Sequence, residues 1–210
     1  MTQTAVKNVE KAINQVQKGG IVIIQDDKSR ENEGDLVMAA EMVTGEKVNF
    51  FARYGCGLIC TPMLEERLNE LSLPQMVEKN EESMRTAFTV SVDAIEGVHT
   101  GISAYERAIT IQKLIDPKAR ASDFVRPGHI FPLRARPNGV FERRGQTEAS
   151  IDLIRIAGLF PASMICEIMN EDGTMARSED LSVYAEKHQL PLITVQDIVD
   201  YRNEKGLISM

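Results

Sequence analysis

The stretch GGIVIIQDDKSRENEGDLVMAA, residues 19–40, sets the reading of the fold. Gly19-Gly20 stops whatever helix precedes it. Ile21 to Ile24 is an apolar run too short for a buried helix, and reads as a buried strand. Asp26 to Gly34 is a polar loop. Asp35 to Ala40 reads as a second strand. The two strands are joined by a loop and not by a helix, so the chain does not begin as a clean βα repeat.

Upstream, Val6, Val9, Ile13 and Val16 recur at spacings of three and four and predict an amphipathic helix. Downstream, Thr44 can cap a helix through Tyr54. Gly57 to Thr61 reads as a strand and Leu64 to Leu71 as a short helix. Phe88, Val90 and Val92 alternate with polar residues, which predicts a half-buried strand. Ser103 and Glu106 have capping-box spacing, so a helix should run to about Ile115. Ile130 to Leu133 predicts a strand. Thr147 can cap a helix whose apolar face includes Ile151, Ile154 and Ala157. Met164 to Ile168 reads as a buried strand, and Ser178 opens a helix to about His188. Leu192 to Val195 is a strand, and the last helix starts near Asp197. The charged stretch Gln75 to Arg85 reads as a mobile loop. No internal repeat or low-complexity linker divides the chain. The expectation is one α+β domain over residues 1–210, a compact mixed sheet with flanking helices.

The chain has 210 residues, 43% of them hydrophobic and none of them Trp. Its core must therefore rest on Ile, Leu, Val, Met and Ala. The net charge of -7 argues against a general nucleic-acid binder, because an acidic surface repels phosphate backbones. A small anionic ligand would depend on a local cluster of Arg. The three cysteines, Cys56, Cys60 and Cys166, are an odd number without a paired framework, which predicts a reducing compartment. Met1-Thr2-Gln3-Thr4 leads into the amphipathic pattern without a basic region and apolar run, and no apolar stretch approaches the roughly 20 residues of a membrane helix. These features predict a cytoplasmic protein with no membrane partner.

Four places can carry chemistry. Residues 26–35 hold five carboxylates and two cations directly after a buried strand. They read either as a solvated surface loop or as a site for a hard cation, which takes oxygen ligands. Arg143-Arg144-Gly145-Gln146-Thr147-Glu148 leads into a helix. It reads as a capped helix with surface arginines, or as an anion site built from a helix N-terminus and guanidinium donors. His129, in Arg126-Pro127-Gly128-His129, is held on a Pro-Gly turn where it is either structural or an acid–base group. Glu167 is a charge inside an apolar strand. It is either a buried carboxylate of shifted pKa or an outward-facing group on an edge strand. The cysteine spacing does not suit a zinc site, and His188 is assigned no role.

Together the segments DDKSRENEGDLVMAAE (26–41), RYGCGLICTPM (53–63), TAFTVSVDAIEGVHTGISAYERAITI (86–111), DFVRPGHIFPLRA (123–135), RGQTEASIDLIRIAGL (144–159) and CEIMNEDGTMAR (166–177) resemble the 3,4-dihydroxy-2-butanone 4-phosphate synthases, in the family's order and over most of the chain. The resemblance implies a compact α+β homodimer with active sites near the subunit interface. It implies a lyase of riboflavin biosynthesis that uses Mg²⁺ or Mn²⁺ to convert D-ribulose 5-phosphate into 3,4-dihydroxy-2-butanone 4-phosphate and formate. The chain has the length of the free-standing form. Carried over by position, Arg30 and Glu31 belong to the substrate and metal loop, with Glu31 a metal ligand. Asp35 contacts substrate. Arg143, Arg144, Gly145, Gln146 and Thr147 hold the sugar phosphate. His129, Glu167 and Asp35 are the catalytic set, and Glu167 also meets substrate.

One segment departs from the pattern. Where the family reads R-G-G-H-T-E, this chain reads Arg143-Arg144-Gly145-Gln146-Thr147-Glu148. Gln146 stands where the second metal ligand, a His, is expected, and Arg144 replaces a Gly. Three readings follow. The metal is held by Glu31, Gln146 and substrate oxygens; or His99, where the family often has Thr, supplies a replacement ligand; or the chain is a catalytically impaired member that only binds sugar phosphate.

Overall fold

The computed structural model describes residues 3–209. Met1, Thr2 and Met210, and with them the reading of the extreme N-terminus, lie outside the described residues. The first helix, α1, spans Gln3–Gln17. The Lys18 N–H closes its last turn on the Gln15 carbonyl at 3.2 Å. The Gly19-Gly20 pair then ends it as expected: Gly19 has φ +71°, a left-handed conformation that glycine adopts without a Cβ clash.

Strand β1 (Val22–Gln25) and strand β2 (Gly34–Ala39) form an antiparallel pair with Ile24 opposite Asp35. Thr44 caps α2 (Gly45–Phe50), accepting the Lys47 N–H, and a π turn, Phe51–Gly55, carries the helix to Cys56. β3 (Cys60–Met63), α3 (Glu65–Glu70) and β4 (Val92–Ala94) follow, then α4 (Ala104–Ile115), capped by Ser103. β5 (Phe124–Arg134), α5 (Gln146–Ile156), β6 (Ser163–Glu167), α6 (Ser178–His188), β7 (Leu192–Thr194) and α7 (Val195–Glu204) complete the chain. The strands form one mixed sheet in the order β4-β5-β3-β6-β2-β1-β7. Among the described residues no helix is long and apolar enough to cross a membrane.

Alternation along the central strands divides the core into two layers. Ile23, Leu36, Met38, Met164 and Cys166 face α2, α3, α4 and α6. Val22, Ile24, Val37, Ala39 and Ile165 face the other way, with α1, α5 and α7. By the same parity Asp35 and Glu167 share the α5 face, and Asp35 lies directly opposite Glu167 in the antiparallel register of β2 and β6. The fold thus sets two carboxylates side by side where β2 begins and β6 ends.

Several local expectations are corrected. Arg126 to His129 is not a turn between elements but part of the eleven-residue β5, of which the sequence showed only the last third. Val92 is buried as expected, but before it the burial parity is reversed: Ala87, Thr89 and Ser91 are buried, while Phe88 and Val90 are half-buried. Thr89 faces inward because its hydroxyl donates to the Pro132 carbonyl at 3.0 Å. Gly145, not Thr147, is the N-cap of α5, and α7 begins two residues before Asp197, on the Thr194 cap. Residues 75–85 hold no regular element. They are gathered by Glu82, whose carboxylate accepts the N–H groups of Met84 and Thr86 at 2.7 and 2.8 Å. Those bonds pull its pKa down to about 2 against the opposing effect of partial burial.

Candidate active site

A cleft opens where β2 and β3 begin and β6 ends, beneath the N-terminus of α5. Its cavity volume is about 90 Å³, and Arg30, Glu31, Asp35, Arg143, Gln146, Thr147 and Glu167 all line it. Most of the expected site residues therefore meet in space, from three separate stretches of the chain. A larger groove between the π turn and α6 contains none of them.

The floor is the carboxylate pair. Asp35 is buried, and its Oδ1 has no hydrogen-bond partner. Burial pushes its pKa well up, and the negative charge of Glu167 beside it adds to the rise. Glu167 is half-buried and accepts the Leu58 N–H at 2.8 Å. Burial raises its pKa as well, with backbone hydrogen bonds opposing. Because β6 lies between β3 and β2, the edge-strand reading of Glu167 is excluded. Two adjacent carboxyls that both resist ionisation hold a proton between them more readily than either would alone.

The acidic loop supplies one wall. Arg30 Nη1 lies 2.6 Å from Asp26 Oδ2 and donates to Gln146 Oε1 at 3.1 Å, and Arg30 Nη2 lies 2.9 Å from Glu31 Oε1. Gln146 Nε2 donates to Glu31 Oε2 at 3.3 Å. Arg30, Glu31 and Gln146 thus form a closed ring of hydrogen bonds. The solvated-loop reading fails, because Asp26 is buried and the loop folds inward.

The helix end supplies the other wall. The first hydrogen bond of α5 runs from the Ala149 N–H to the Gly145 carbonyl at 2.9 Å, so the N–H groups of Gln146 and Thr147 precede the helical ladder and face outward from it. Arg143 lies beside them, 2.6 Å from buried Glu148, and donates to the Thr86 hydroxyl at 3.1 Å. Arg144 does not line the cleft. Its guanidinium turns to Asp27 at 2.8 Å and to Gln196 at 2.7 Å. One turn into α5, the Ser150 and Ser163 hydroxyls lie 2.8 Å apart and tie the helix to β6.

His129 and His99 are not among the residues lining this cleft. His129 lies on β5 against Asp93, and His99 is on an exposed loop whose N–H groups at His99 and Thr100 donate to Glu106. Cys60, Thr86, Phe88, Leu133 and Ile165 line the cleft without having been singled out in the sequence. Apolar and small residues inside strands carry no mark of a site; only the register brings them there. Burial, followed by the nearby Glu167 and Asp35 charges, keeps the Cys60 thiol protonated.

The lining suits a hard divalent cation. Glu31, Asp35 and Glu167 line the cleft, Arg30 is paired with Asp26 and Glu31 and Arg143 with Glu148, and Asp35 keeps an orphan oxygen. Glu31 and Asp35 offer carboxylates, and a half-turn of the Gln146 amide presents its oxygen beside Glu31. Among the described residues no trio of His, Cys, Asp and Glu forms a ready-made cage, so substrate oxygens would have to complete the shell.

A polar cleft with two paired carboxyls, a helix N-terminus and an oxygen-rich wall has the make-up of an enzyme site. The model of the family described as 3,4-dihydroxy-2-butanone 4-phosphate synthase matches residues 10–201. The 3,4-dihydroxy-2-butanone 4-phosphate synthase of Agrobacterium fabrum is 50% identical over 196 residues, 93% of this chain and 92% of that protein. The riboflavin biosynthesis protein RibBA of Aquifex aeolicus is 57% identical over 92% of this chain, which spans about half, 48%, of that relative's length. A crystal structure of a 3,4-dihydroxy-2-butanone 4-phosphate synthase in complex with two magnesium ions superposes with a TM-score of 0.89 at 41% identity, covering 96% of this chain and 99% of that one. The chain belongs to the 3,4-dihydroxy-2-butanone 4-phosphate synthase family.

Proposed function

We propose that the chain converts D-ribulose 5-phosphate into 3,4-dihydroxy-2-butanone 4-phosphate and formate, as a step of riboflavin synthesis. The observation that carries this reading is the Asp35–Glu167 pair set directly below the N-terminus of α5. Phosphate at the Gln146 and Thr147 N–H groups, beside Arg143, leaves the sugar carbons over the two carboxyls. The ionised member of the pair takes a proton from a carbon next to the carbonyl, and the protonated member returns one to oxygen. The overall change splits C5H11O8P into C4H9O6P and CH2O2, so neither an oxidant nor a second substrate is required. Arg30 and Glu31 orient the sugar hydroxyls. A bound Mg²⁺ or Mn²⁺, held by Glu31 and the Gln146 amide oxygen, supplies charge stabilisation for the enediolate.

We also infer that the working form is a homodimer. His129, a catalytic candidate, is missing from its own chain's cleft, and exposed Ile95, Ile102 and Val125 lie on the segments next to it. Exposed Leu58 lies at the cleft, its N–H bound to Glu167. A second copy that covers both apolar patches would bring its His129 to this cleft.

The test is formate release from ribulose 5-phosphate, with Mg²⁺, with Mn²⁺ and with chelator. Metal-dependent formate is expected. Folded protein that binds the sugar phosphate but releases no formate with either metal would overturn the reading. For the dimer, mixing inactive Glu31→Gln and His129→Ala chains should restore formate release, because one of the two sites in the mixed dimer regains both residues. No restoration after subunit exchange would show that both residues act within one chain.

A further inference from the structure

Asp93 is a buried carboxylate that the cleft does not use. Its two oxygens are both directed at His129: Oδ1 accepts the His129 backbone N–H at 2.8 Å, and Oδ2 lies 2.7 Å from Nδ1 of the ring. The Asp93 side chain is 8% exposed, whereas that of His129 is 43% exposed. One end of the ring is therefore fixed inside the protein and the other faces outward.

The backbone is shaped around this contact. The β4–β5 ladder slips between Val92 and Asp93: Val92 opposes Ile130 but Asp93 opposes Val125. Residues 126–129 are the excess on β5, and a bulge of this kind re-aims a side chain. The Ser91 hydroxyl accepts the Gly128 N–H at 3.2 Å and helps to hold the bulge. Gly101, at φ +81°, covers the contact from the neighbouring loop, and a Cβ there would collide with both the Asp93 carboxylate and His129 Nδ1. A solvent-facing surface histidine needs no such enclosure.

An ionised carboxylate can only accept, so Nδ1 of a neutral His129 must carry the proton. That leaves the Nε2 lone pair outward, the arrangement of a base ready to take a proton. We propose that Asp93 is a positioning residue for the reaction: it fixes His129 in the Nδ1–H tautomer and aims Nε2 at the cleft of a second copy. The proposal rests on the catalytic and dimeric readings of His129 given above.

The chain has three histidines, so the His129 ring nitrogens can be assigned by nuclear magnetic resonance from the signals lost in His129→Gln. The parent protein should show His129 as the Nδ1–H tautomer. Asp93→Asn should shift it toward Nε2–H, because the amide can donate to Nδ1. It should also lower kcat by about 10²-fold or more with KM little changed, and Asp93→Glu should recover part of both. Nε2–H in the parent, or a tautomer unmoved in folded Asp93→Asn, would overturn the proposal, as would a switched tautomer with unchanged kcat. Should Asp93→Asn not fold, the parent spectrum and Asp93→Glu still decide it. Full formate release by His129→Gln would overturn the catalytic reading and this proposal with it, and the tautomer result would show separately whether Asp93 holds the ring.

Discussion

Asp35→Asn should nearly eliminate formate release and make the protein more stable at pH 8. Loss of an acid–base group predicts a fall of about 10²- to 10⁴-fold. The stability gain follows from burial. Asp35 has an oxygen without a partner and faces Glu167 across the β2–β6 register. Burial, then the neighbouring Glu167, raises its pKa when the protein folds. A carboxyl whose folded pKa is raised contributes its full stability below its unfolded value, about 4. That contribution is lost as pH rises through the folded value. The parent thus carries a penalty at pH 8 that the neutral amide of the variant escapes. Relief of a buried, poorly satisfied charge is worth about 1–3 kcal/mol, or roughly 2–12 °C in melting temperature for a chain of this size. The difference between variant and parent should shrink as pH is lowered toward 4. A melting-temperature difference that is negative, or flat with pH, would show that Asp35 is not strained; full formate release would remove it from the chemistry.

Arg202→Met should cost about 3–5 kcal/mol, because it leaves a buried carboxylate without its cation. Arg202 is fully buried on α7, and its Nη1 lies 2.7 Å from Asp152 Oδ2. The same guanidinium donates to the carbonyls of Asn138 at 2.9 Å, Leu207 at 3.0 Å and Ile208 at 3.2 Å, and it stacks 4.1 Å over the Phe141 ring. Asp152 lies on α5, so the pair joins the C-terminal segment to the helix that opens into the cleft. Urea unfolding should show the midpoint falling with little change in slope. Arg202→Met with Asp152→Leu should recover much of the loss, since a well-packed apolar pair can replace a buried ion pair. A loss below about 1 kcal/mol in the single variant would mean that Asp152 finds another partner or a proton at no cost.

The central strands were legible because each is a short, mostly apolar run, as in Ile21 to Ile24, between Gly20 and Gln25-Asp26, and Met164 to Ile168. β5 was not, because Arg126-Pro127-Gly128 breaks the apolar pattern while the bulge keeps the strand paired. Thr89 misled the parity reading, since a buried hydroxyl with a partner looks, in sequence, like a solvent-facing one. Seven of the residues that line the cleft could be named from the resemblance, but not their arrangement. That Asp35 and Glu167 adjoin is a fact of register between strands far apart in the chain. Arg202 gave no signal at all: a cation near the end of a helix ordinarily reads as exposed, and only the chain segments folded around it make it buried.

Every residue of α5 from Gln146 to Ile154 is buried, and the helix is tied to β6 through Ser150 and to α7 through Asp152. Its N-terminal end and the carboxylate floor consequently belong to one stiff frame, and the distance between them is set before any ligand arrives. Such a frame is a ruler. On the function proposed above, a phosphate seated at Gln146 and Thr147 would fix which carbon of the substrate lies over Asp35 and Glu167, so a sugar phosphate one carbon shorter or longer would present the wrong carbon to the same two groups.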